Sequence, residues 1–323
     1  MSIREKLLWG LFAGFLALLF LASSTNLIIK EKKREIYPIS IIIEDENDEY
    51  YVNFKKGADK AAEEFYADVN FITLYSQGSK SQQLELIQRE VRDGAKAVIF
   101  APVDSNETIM EMEALKPSCP VILLGAVSSS DFVAESIITD TYEIGRKLGE
   151  AAAAGTPEGI PVYLFSEGIS YRRNTGIYAG ICSVLEREGI PVSLYEKKTE
   201  DTYREAIEST VYPGDSRAAI IAMDAQALDE AVKIIEGSTV YQEHLAGLYG
   251  AGCTTSILNE VDKGIIDGIV VYNQFDEGYL SVKSAVEAIR GSRQKLQIEL
   301  ESYYLEKDDI RDKKYEKMLY PIE

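Results

Sequence analysis

The sequence predicts an α/β protein of two similar lobes, each a parallel sheet covered by helices, preceded by one N-terminal apolar segment. The 323 residues suffice for about two domains of ~150 residues each. From Tyr37 onward, short β-rich apolar runs alternate with amphipathic stretches, and a second such series begins after Asp140. The composition, with 46% hydrophobic and 27% charged residues, is typical of a globular chain.

The first element is the apolar segment. No residue from 7 to 29 is charged, and at about 1.5 Å per residue this run can cross a ~30 Å hydrocarbon core. We expect residues 1–36 to form an uncleaved membrane anchor with a basic linker, and the remaining chain to be extracellular. Ala22-Ser23-Ser24 suits a signal peptidase, so secretion after cleavage is the alternative. The cations of residues 30–34 outnumber those before the run, so charge alone does not fix the orientation.

The first lobe begins with the strand that starts at Tyr37. Its predicted strands lie in the runs YPISIIIE, VNFITLYS, AVIFAP and PVILLGA, with amphipathic helices between them. Because a helix separates each strand from the next, we expect the strands to be parallel and both faces of the sheet to be covered.

The second lobe repeats this pattern after residues 136–140. Its predicted strands lie in PVYLFSE, VSLYEKK, AAIIAMD and HLAGLYGAG. Its helices begin near Tyr171, Thr202, Ala225 and Thr254. Three glycines that stand directly before strands are predicted to end helices in the left-handed conformation, namely Gly94, Gly189 and Gly264.

Composition and motifs exclude several functions. A net charge of −19 disfavours nucleic-acid binding, because phosphate contacts need cations. The single histidine, His244, and three widely spaced cysteines rule out a histidine-based triad, a zinc module and a disulfide scaffold. No GxGxxG, GxxxxGK[ST] or GxSxG motif is present. We therefore expect a protein that is not an enzyme, with no catalytic residue, no metal and no cofactor.

The predicted ligand site lies at the carboxyl ends of the strands, where loops and helix N-termini of open parallel sheets converge. These strand ends contain aromatic, carboxylate and guanidinium side chains. Such a set suits a small polar or polyhydroxylated ligand, because aromatic faces stack on the C–H groups of a sugar while the charged groups bind its hydroxyls.

Several segments, in this order, are similar to a known family: FKKGADKAAEEF, IQREVRDGAKAVIFAPVDS, CPVILL, ITDTYEIGRKLGE, RRNTGIYAGICSVLEREG, IIAMDAQALDEAVKII and VDKGIIDGIVVYNQFDEGYLSVKSAVEAI. Through them, residues 37 to about 310 resemble the type I periplasmic binding proteins of the ribose- and galactose-binding kind, a superfamily that includes the ligand-binding lobes of lactose-repressor-like regulators. The resemblance implies two Rossmann-like (flavodoxin-like) lobes joined by a three-crossover hinge. The N-terminal lobe would comprise residues 37–139 and about 273–300, and the C-terminal lobe residues 140–272 and about 301–323.

The same resemblance implies the ligand-binding residues. The first lobe contributes a polar residue followed by two aromatics, and the hinge crossings and the second lobe contribute the remainder. The implied residues are Asp48, Tyr50, Tyr51, Asp140, Thr141, Arg173, Asp224 and Tyr272.

Structural roles stay open for some of these residues. Tyr51 lies on the apolar stripe of its helix, so core packing is as good an interpretation as ligand contact. Arg173 is either a surface residue or a partner of Glu167, and the resemblance favours ligand contact. Asp224 and Asp140 both precede helices, where an aspartate caps the free backbone N–H groups.

The sequence departs from the family at two points that bind sugar hydroxyls. Gly125-Ala126 stands where the family often has Asp-Arg, and Gly252 replaces an aspartate. These departures disfavour recognition of a pentose or hexose in the family's usual manner and favour a different polar ligand or a larger one.

The apolar segment and the resemblance together imply a membrane-tethered extracellular solute-binding protein that closes on a small, sugar-like ligand. It would present this ligand to an ABC-type importer (a permease that acts in transport) or a histidine sensor kinase (signal transduction). The alternatives are a cytoplasmic regulator of the lactose-repressor type without its DNA-binding domain, a repurposed non-sugar receptor, and an enzyme on a flavodoxin-like scaffold. The apolar segment and the absence of a nucleophile beside a base disfavour the regulator and the enzyme.

Overall fold

The computed structural model describes residues 2–24, 35–43, 51–74, 78–169, 174–197, 202–210, 217–292 and 296–321. The chain divides into two compact units, Met1–Ile36 and Tyr37–Glu323. The first unit contains helix α1, Ile3–Ser24, and the second contains two α/β lobes.

Helix α1 has the length and composition of a membrane-spanning segment. Its segment Ile3–Ala22 has a mean hydropathy of 1.7, and none of it is buried. A helix of 22 residues is about 33 Å long, which matches the ~30 Å hydrocarbon core of a bilayer. A membrane anchor and a signal sequence both meet these criteria.

The N-terminal lobe is built on six strands: β1 Tyr37–Ile43, β2 Ala67–Thr73, β3 Ala97–Phe100, β4 Val121–Leu124, β5 Val133–Thr139 and β11 Leu296–Leu300. Their order is β11-β5-β4-β3-β1-β2, and all neighbours are parallel. The helices of this lobe are α2 Val52–Phe65, α3 Lys80–Asp93, α4 Ser105–Leu115 and α11 Gln274–Ile289. Consecutive residues Ile41 and Ile42 are fully buried in different apolar clusters, so helices cover both faces of the sheet.

The C-terminal lobe also has six strands: β6 Val162–Ser166, β7 Val192–Glu196, β8 Ala218–Ala222, β9 Leu245–Ala251, β10 Gly268–Tyr272 and β12 Ser302–Leu305. Their order is β12-β10-β9-β8-β6-β7. Its helices are α5 Thr141–Gly155, α6 Asn174–Arg187, α7 Tyr203–Thr210, α8 Ala225–Glu236, α9 Thr239–His244, α10 Thr255–Lys263 and α12 Lys313–Leu319. The edge strand β12 runs antiparallel to β10, a feature that the alternating pattern did not predict.

The chain passes between the two sheets three times: after β5, after β10 and between β11 and β12. The prediction of two α/β lobes with parallel sheets is confirmed. The predicted helix stops are confirmed as well, because Gly94, Gly189 and Gly264 all have positive φ angles.

Glycines bring one pair of helices into close contact in each lobe. A Cβ at Gly57 of α2 or at Gly278 of α11 would overlap the backbone of the other helix. Gly145 of α5 and Gly180 of α6 meet in the same reciprocal manner. Since α2, α5, α6 and α11 all begin where the lobes face each other, these contacts position the helix N-termini around the cleft.

Candidate ligand-binding site

A cavity of about 240 Å³ lies between the lobes, at the carboxyl ends of β8, β9 and β10. This is the location that the sequence predicted for the ligand site. The described residues that line it are Val52, Asn53, Ile144, Asn174, Ile177, Met223, Asp224, Ala225, Gln226, Ala251, Gly252, Cys253, Thr254, Thr255, Ser256, Val270, Val271, Tyr272, Gln274 and Leu319.

The N-terminal lobe reaches the cavity through the first turns of two helices. Val52 and Asn53 come from α2, and Gln274 comes from α11. The Gln274 Oε1 lies 3.8 Å from the Sγ of Cys253, which belongs to the C-terminal lobe. Burial raises the pKa of the Cys253 thiol to about 12, so it is neutral at physiological pH and acts as a small, uncharged wall residue.

Asp224 is the only charged residue among the lining residues that the structure describes. Its Oδ1 accepts a hydrogen bond from the backbone N–H of Ala227 at 2.8 Å and thereby caps α8. Its Oδ2 accepts from the backbone N–H of Glu167 and from the side-chain amide of Asn174, both at 3.0 Å. The capping interpretation of Asp224 therefore holds in the structure, together with a second role in fixing Asn174.

Asn174 lines the cavity but is not one of the predicted ligand-binding residues. It is 2% exposed and begins α6. Its Nδ2 donates to the Oγ of Ser166 at 2.9 Å, to the carbonyl of Gly168 at 3.0 Å and to Asp224. The available signal was its position next to Arg173, at the start of a helix that was predicted to face the cleft.

A half-buried charge network lies next to Asp224 and Asn174. Lys197 contacts Glu167 at 3.2 Å and Glu230 at 2.6 Å. Burial raises the pKa of Glu167, and the nearby Asp224 carboxylate raises it further, although Lys197 opposes both effects. Burial also raises the pKa of Tyr203, whose hydroxyl lies 3.4 Å from Glu167. Two carboxylates, Glu167 and Asp224, thus lie near each other beside the cavity, and Lys197 pairs with the first of them.

Gly252 has a backbone that only glycine adopts without strain. Its φ angle is +143°, and a Cβ at this position would lie 2.7 Å from the Cβ of Ala225. The aspartate that the family has here would therefore be both strained and too close to α8. Gly252 therefore permits the backbone conformation that forms this part of the cavity wall.

The predicted site residues fall into three groups. Asp224 and Tyr272 line the cavity. Tyr51, Asp140 and Thr141 are not among the described lining residues. Tyr51 packs edge-on against Phe54 at the core of the N-terminal lobe, with 6.4 Å between ring centroids. Asp140 caps α5, and Thr141 contacts α6 at Gly176. The remaining predicted residues lie outside the described residues, namely Asp48, Tyr50 and Arg173.

Potential metal ligands do not cluster in the described part of the chain. No group of three or more His, Cys, Asp or Glu side chains there is arranged to hold a metal ion. The cavity offers amide, hydroxyl and phenol groups for hydrogen bonding and aliphatic side chains for apolar contact. This combination is suited to reversible binding of a small neutral molecule.

The chain is similar to known solute-binding proteins. A family model described as "Periplasmic binding protein domain" matches residues 39–293. The ribose import binding protein of Escherichia coli K12 is 26% identical over 125 residues, which are 38% of this chain and 42% of that protein. The corresponding protein of Salmonella typhimurium is 27% identical over the same shares. The chain thus spans about two fifths of the length of the curated relatives it matches.

Solved structures share the whole two-lobe fold. A carbohydrate transporter solute-binding protein from Agrobacterium radiobacter, in complex with D-arabinose, has a TM-score of 0.76 at 17% identity, covering 88% of this chain and 98% of that one. A glucose-galactose binding protein from Geobacillus stearothermophilus has a TM-score of 0.72 at 18% identity. The match covers 86% of this chain and 100% of that one. The predicted resemblance is confirmed, and since the family model matches well over half of its residues, the chain belongs to the periplasmic binding protein family.

Proposed function

We propose that this protein is an extracellular solute-binding protein that closes on a small, uncharged, sugar-like ligand without breaking any bond. The observation that supports this most directly is the cavity between the lobes, which both lobes line and which contains a single, already hydrogen-bonded charge among its described residues. A buried, unpaired charge on a ligand would be costly in such a cavity, whereas hydroxyl groups find amide and hydroxyl partners there.

The ligand class follows from the relatives together with the cavity. The curated relatives are ribose import binding proteins, and the Agrobacterium radiobacter structure contains D-arabinose. We propose a sugar or sugar-like compound for this chain. Its contacts would come from Asp224, Tyr272 and Asn174, which line the cavity, and from Asp48, Tyr50 and Arg173, which the resemblance implies.

The two lobes would move as bodies about the three chain crossings. We propose residues 37–139 with about 273–300 as one body and residues 140–272 with about 301–323 as the other. Ligand binding would favour the closed arrangement, because only there do both lobes contact the ligand at once. A membrane partner, either an ABC-type importer or a sensor kinase, would recognise the closed form.

A thermal-shift experiment tests the binding function. The full chain in detergent micelles is melted with ribose, arabinose, glucose, galactose, polyols and purines, since any ligand that binds only the native state raises the melting temperature. A ligand at about 100 times its Kd stabilises by roughly 2.7 kcal/mol. A concentration-dependent shift with one sugar class supports the proposal. A folded protein that shifts with none of the sugars contradicts it.

Fractionation of cells tests the membrane tether. We propose that α1 stays attached as a single-pass anchor with the lobes outside the cytoplasm. The full-length chain should remain with the membrane after an alkaline wash, and protease added to intact protoplasts should digest the lobes. Release of a chain that lacks residues 1–24 into the medium would instead establish signal cleavage, and protection from protease would place the lobes inside.

A further inference from the structure

The C-terminal helix α12 belongs structurally to the C-terminal lobe. The side chain of Asp312 accepts a hydrogen bond from the backbone N–H of Lys314 at 2.8 Å and caps this helix. Arg311, just before it, forms an ion pair with Asp262 at 2.7 Å. Met318 and Leu319 are 5% and 3% exposed and join the apolar core of this lobe. The helix is therefore packed in a fixed position.

The end of α12 also contacts the N-terminal lobe. The carbonyl of Leu319 accepts a hydrogen bond from the side-chain amide of Asn53 at 3.5 Å. The carbonyl of Pro321 accepts one from the Lys56 ammonium group at 3.1 Å. Both donors lie on α2, so the segment from Leu319 to Pro321 reaches across the opening between the lobes.

Leu319 lines the cavity itself, together with Val52 and Asn53 of the opposite lobe. It shares an apolar cluster with Cys253, another lining residue. The segment lies beyond residue 293, where the match to the family model ends, so family membership assigns it no role. We propose that residues 313–321 form a wall of the ligand cavity and that Leu319 is a specificity-determining residue, which favours sugars that present an apolar, deoxy edge.

The preference follows from the desolvation of hydroxyl groups. A ligand atom that faces Leu319 leaves water and meets a methyl group, so a hydroxyl there loses its hydrogen bonds without replacement. A methyl or methylene group at the same point gains apolar contact. At Gly252, which lines the cavity, and at Gly125-Ala126 the sequence lacks hydroxyl-binding side chains that the family often has, which favours the same kind of ligand.

The test rests on the proposed function and compares sugars that differ by one hydroxyl. The full chain in detergent micelles is titrated with three pairs: D-fucose and D-galactose, L-rhamnose and L-mannose, 2-deoxy-D-ribose and D-ribose. We expect the parent protein to bind the deoxy member of at least one pair about tenfold more tightly. Leu319→Asn should bring that ratio close to one. Leu319→Ala should also reduce this affinity ratio. Because alanine introduces no buried polar group, this variant provides the test if Leu319→Asn fails to fold.

Met318→Ala is the matched control, because Met318 is buried in the same lobe core but does not line the cavity. It should lower the melting temperature without changing the ratio. A parent protein without any deoxy preference, or a ratio that is unchanged in both Leu319 variants, would overturn the role of Leu319 alone. A parent protein that binds no sugar would overturn the proposed function and this role with it.

Discussion

Asp224 connects the stability of one helix with the geometry of the cavity. One carboxylate oxygen caps α8, and the other holds the backbone of Glu167 and the amide of Asn174. Two of these three contacts are made across long sequence separations, between the ends of β6 and β8. Because the same carboxylate serves both tasks, a change at Asp224 affects the fold and the site together.

Asp224→Asn should destabilise the protein by about 1 to 3 kcal/mol, because the amide group offers one acceptor where two are needed. Urea unfolding measures the loss. Asp140→Asn is the matched control, since Asp140 is exposed and caps α5 by accepting a hydrogen bond from the backbone N–H of Glu143. It should lose about 1 kcal/mol or less. Equal losses in the two variants would show that the bonds to Glu167 and Asn174 add no stability.

Arg173→Ala should weaken sugar binding more than tenfold if its guanidinium binds the ligand, since an unpaired buried acceptor costs about 1.5 to 3 kcal/mol. Isothermal titration of the ligand found in the thermal-shift screen measures the effect. Arg172→Ala removes the same charge one position earlier and should leave the affinity within about twofold. An Arg173 variant with the parent affinity would remove Arg173 from the site.

At the scale of elements, the close helix pairs depend on glycine. Gly57→Ala should destabilise the protein by about 1 to 3 kcal/mol or more, because the added Cβ would overlap the carbonyl oxygen of Phe275 on α11. Gly237→Ala is the control: the φ angle of Gly237 is −69°, and its nearest atoms lie 3.5 Å from an added Cβ. That change should be neutral or stabilise by up to about 1 kcal/mol. Similar melting temperatures for the two variants would refute the close packing of α2 and α11.

A buried carboxylate between β5 and α11 makes stability depend on pH. Burial raises the pKa of Glu135, and Glu287 on α11 raises it further, while a hydrogen bond from Ser284 opposes this. The folded-state pKa lies above the unfolded value, so the protonated form favours folding, and this contribution is lost as the pH rises through the folded pKa. Removing the charge should therefore stabilise the protein at neutral pH.

Glu135→Gln should raise the melting temperature at pH 7, and the gain should vanish below about pH 4, where both states of the parent residue are neutral. Calorimetry at a series of pH values measures this difference. Glu85→Gln, on the exposed face of α3, should show no such pH-dependent gain. A gain that is constant from pH 4 to pH 7 would contradict the assignment to the Glu135 carboxyl.

The strands and helices were largely predictable because their patterns are local. The apolar runs that begin at Tyr37 and Val162 became central strands, and the glycine stops before β3 and β10 have the expected conformation. Two features of these elements were not predicted. The antiparallel direction of β12 depends on a chain crossing, and the role of Gly57 depends on a partner helix more than 200 residues away in sequence; neither leaves a local pattern.

At the scale of the whole molecule, the location of the cavity was predictable and its full lining was not. The strand-end rule placed Asp224 and Tyr272 correctly at the lobe boundary. Leu319 was missed because its contacts with α2 span 266 residues of sequence, and nothing in a short helix near residue 319 indicates which distant surface it meets. Asn174 was not among the predicted ligand-binding residues, because the carboxylate that orients its amide group belongs to Asp224, 50 residues away in sequence.

Loosening the contact between α2 and the chain segment after α12 should favour the open arrangement. Lys56→Met removes the hydrogen bond to Pro321, which is worth about 1 kcal/mol and therefore up to about a fivefold change in the population ratio. Small-angle scattering without ligand should show a larger radius of gyration than the parent. Lys60→Met, on the same helix but paired with Glu63, is the control. Identical scattering from the two variants would show that this contact does not hold the lobes.

The reciprocal glycine contacts have a mechanical consequence. At Gly57, Gly278, Gly145 and Gly180 the helices touch backbone to backbone, so at these points no side chain lies between them that could change rotamer and absorb a displacement. We therefore expect relative motion of the two lobes to change backbone angles mainly in the three short connections after β5, β10 and β11. A methyl group added at any of these four glycines would push the two helices apart and so shift the helix N-termini that face the cavity.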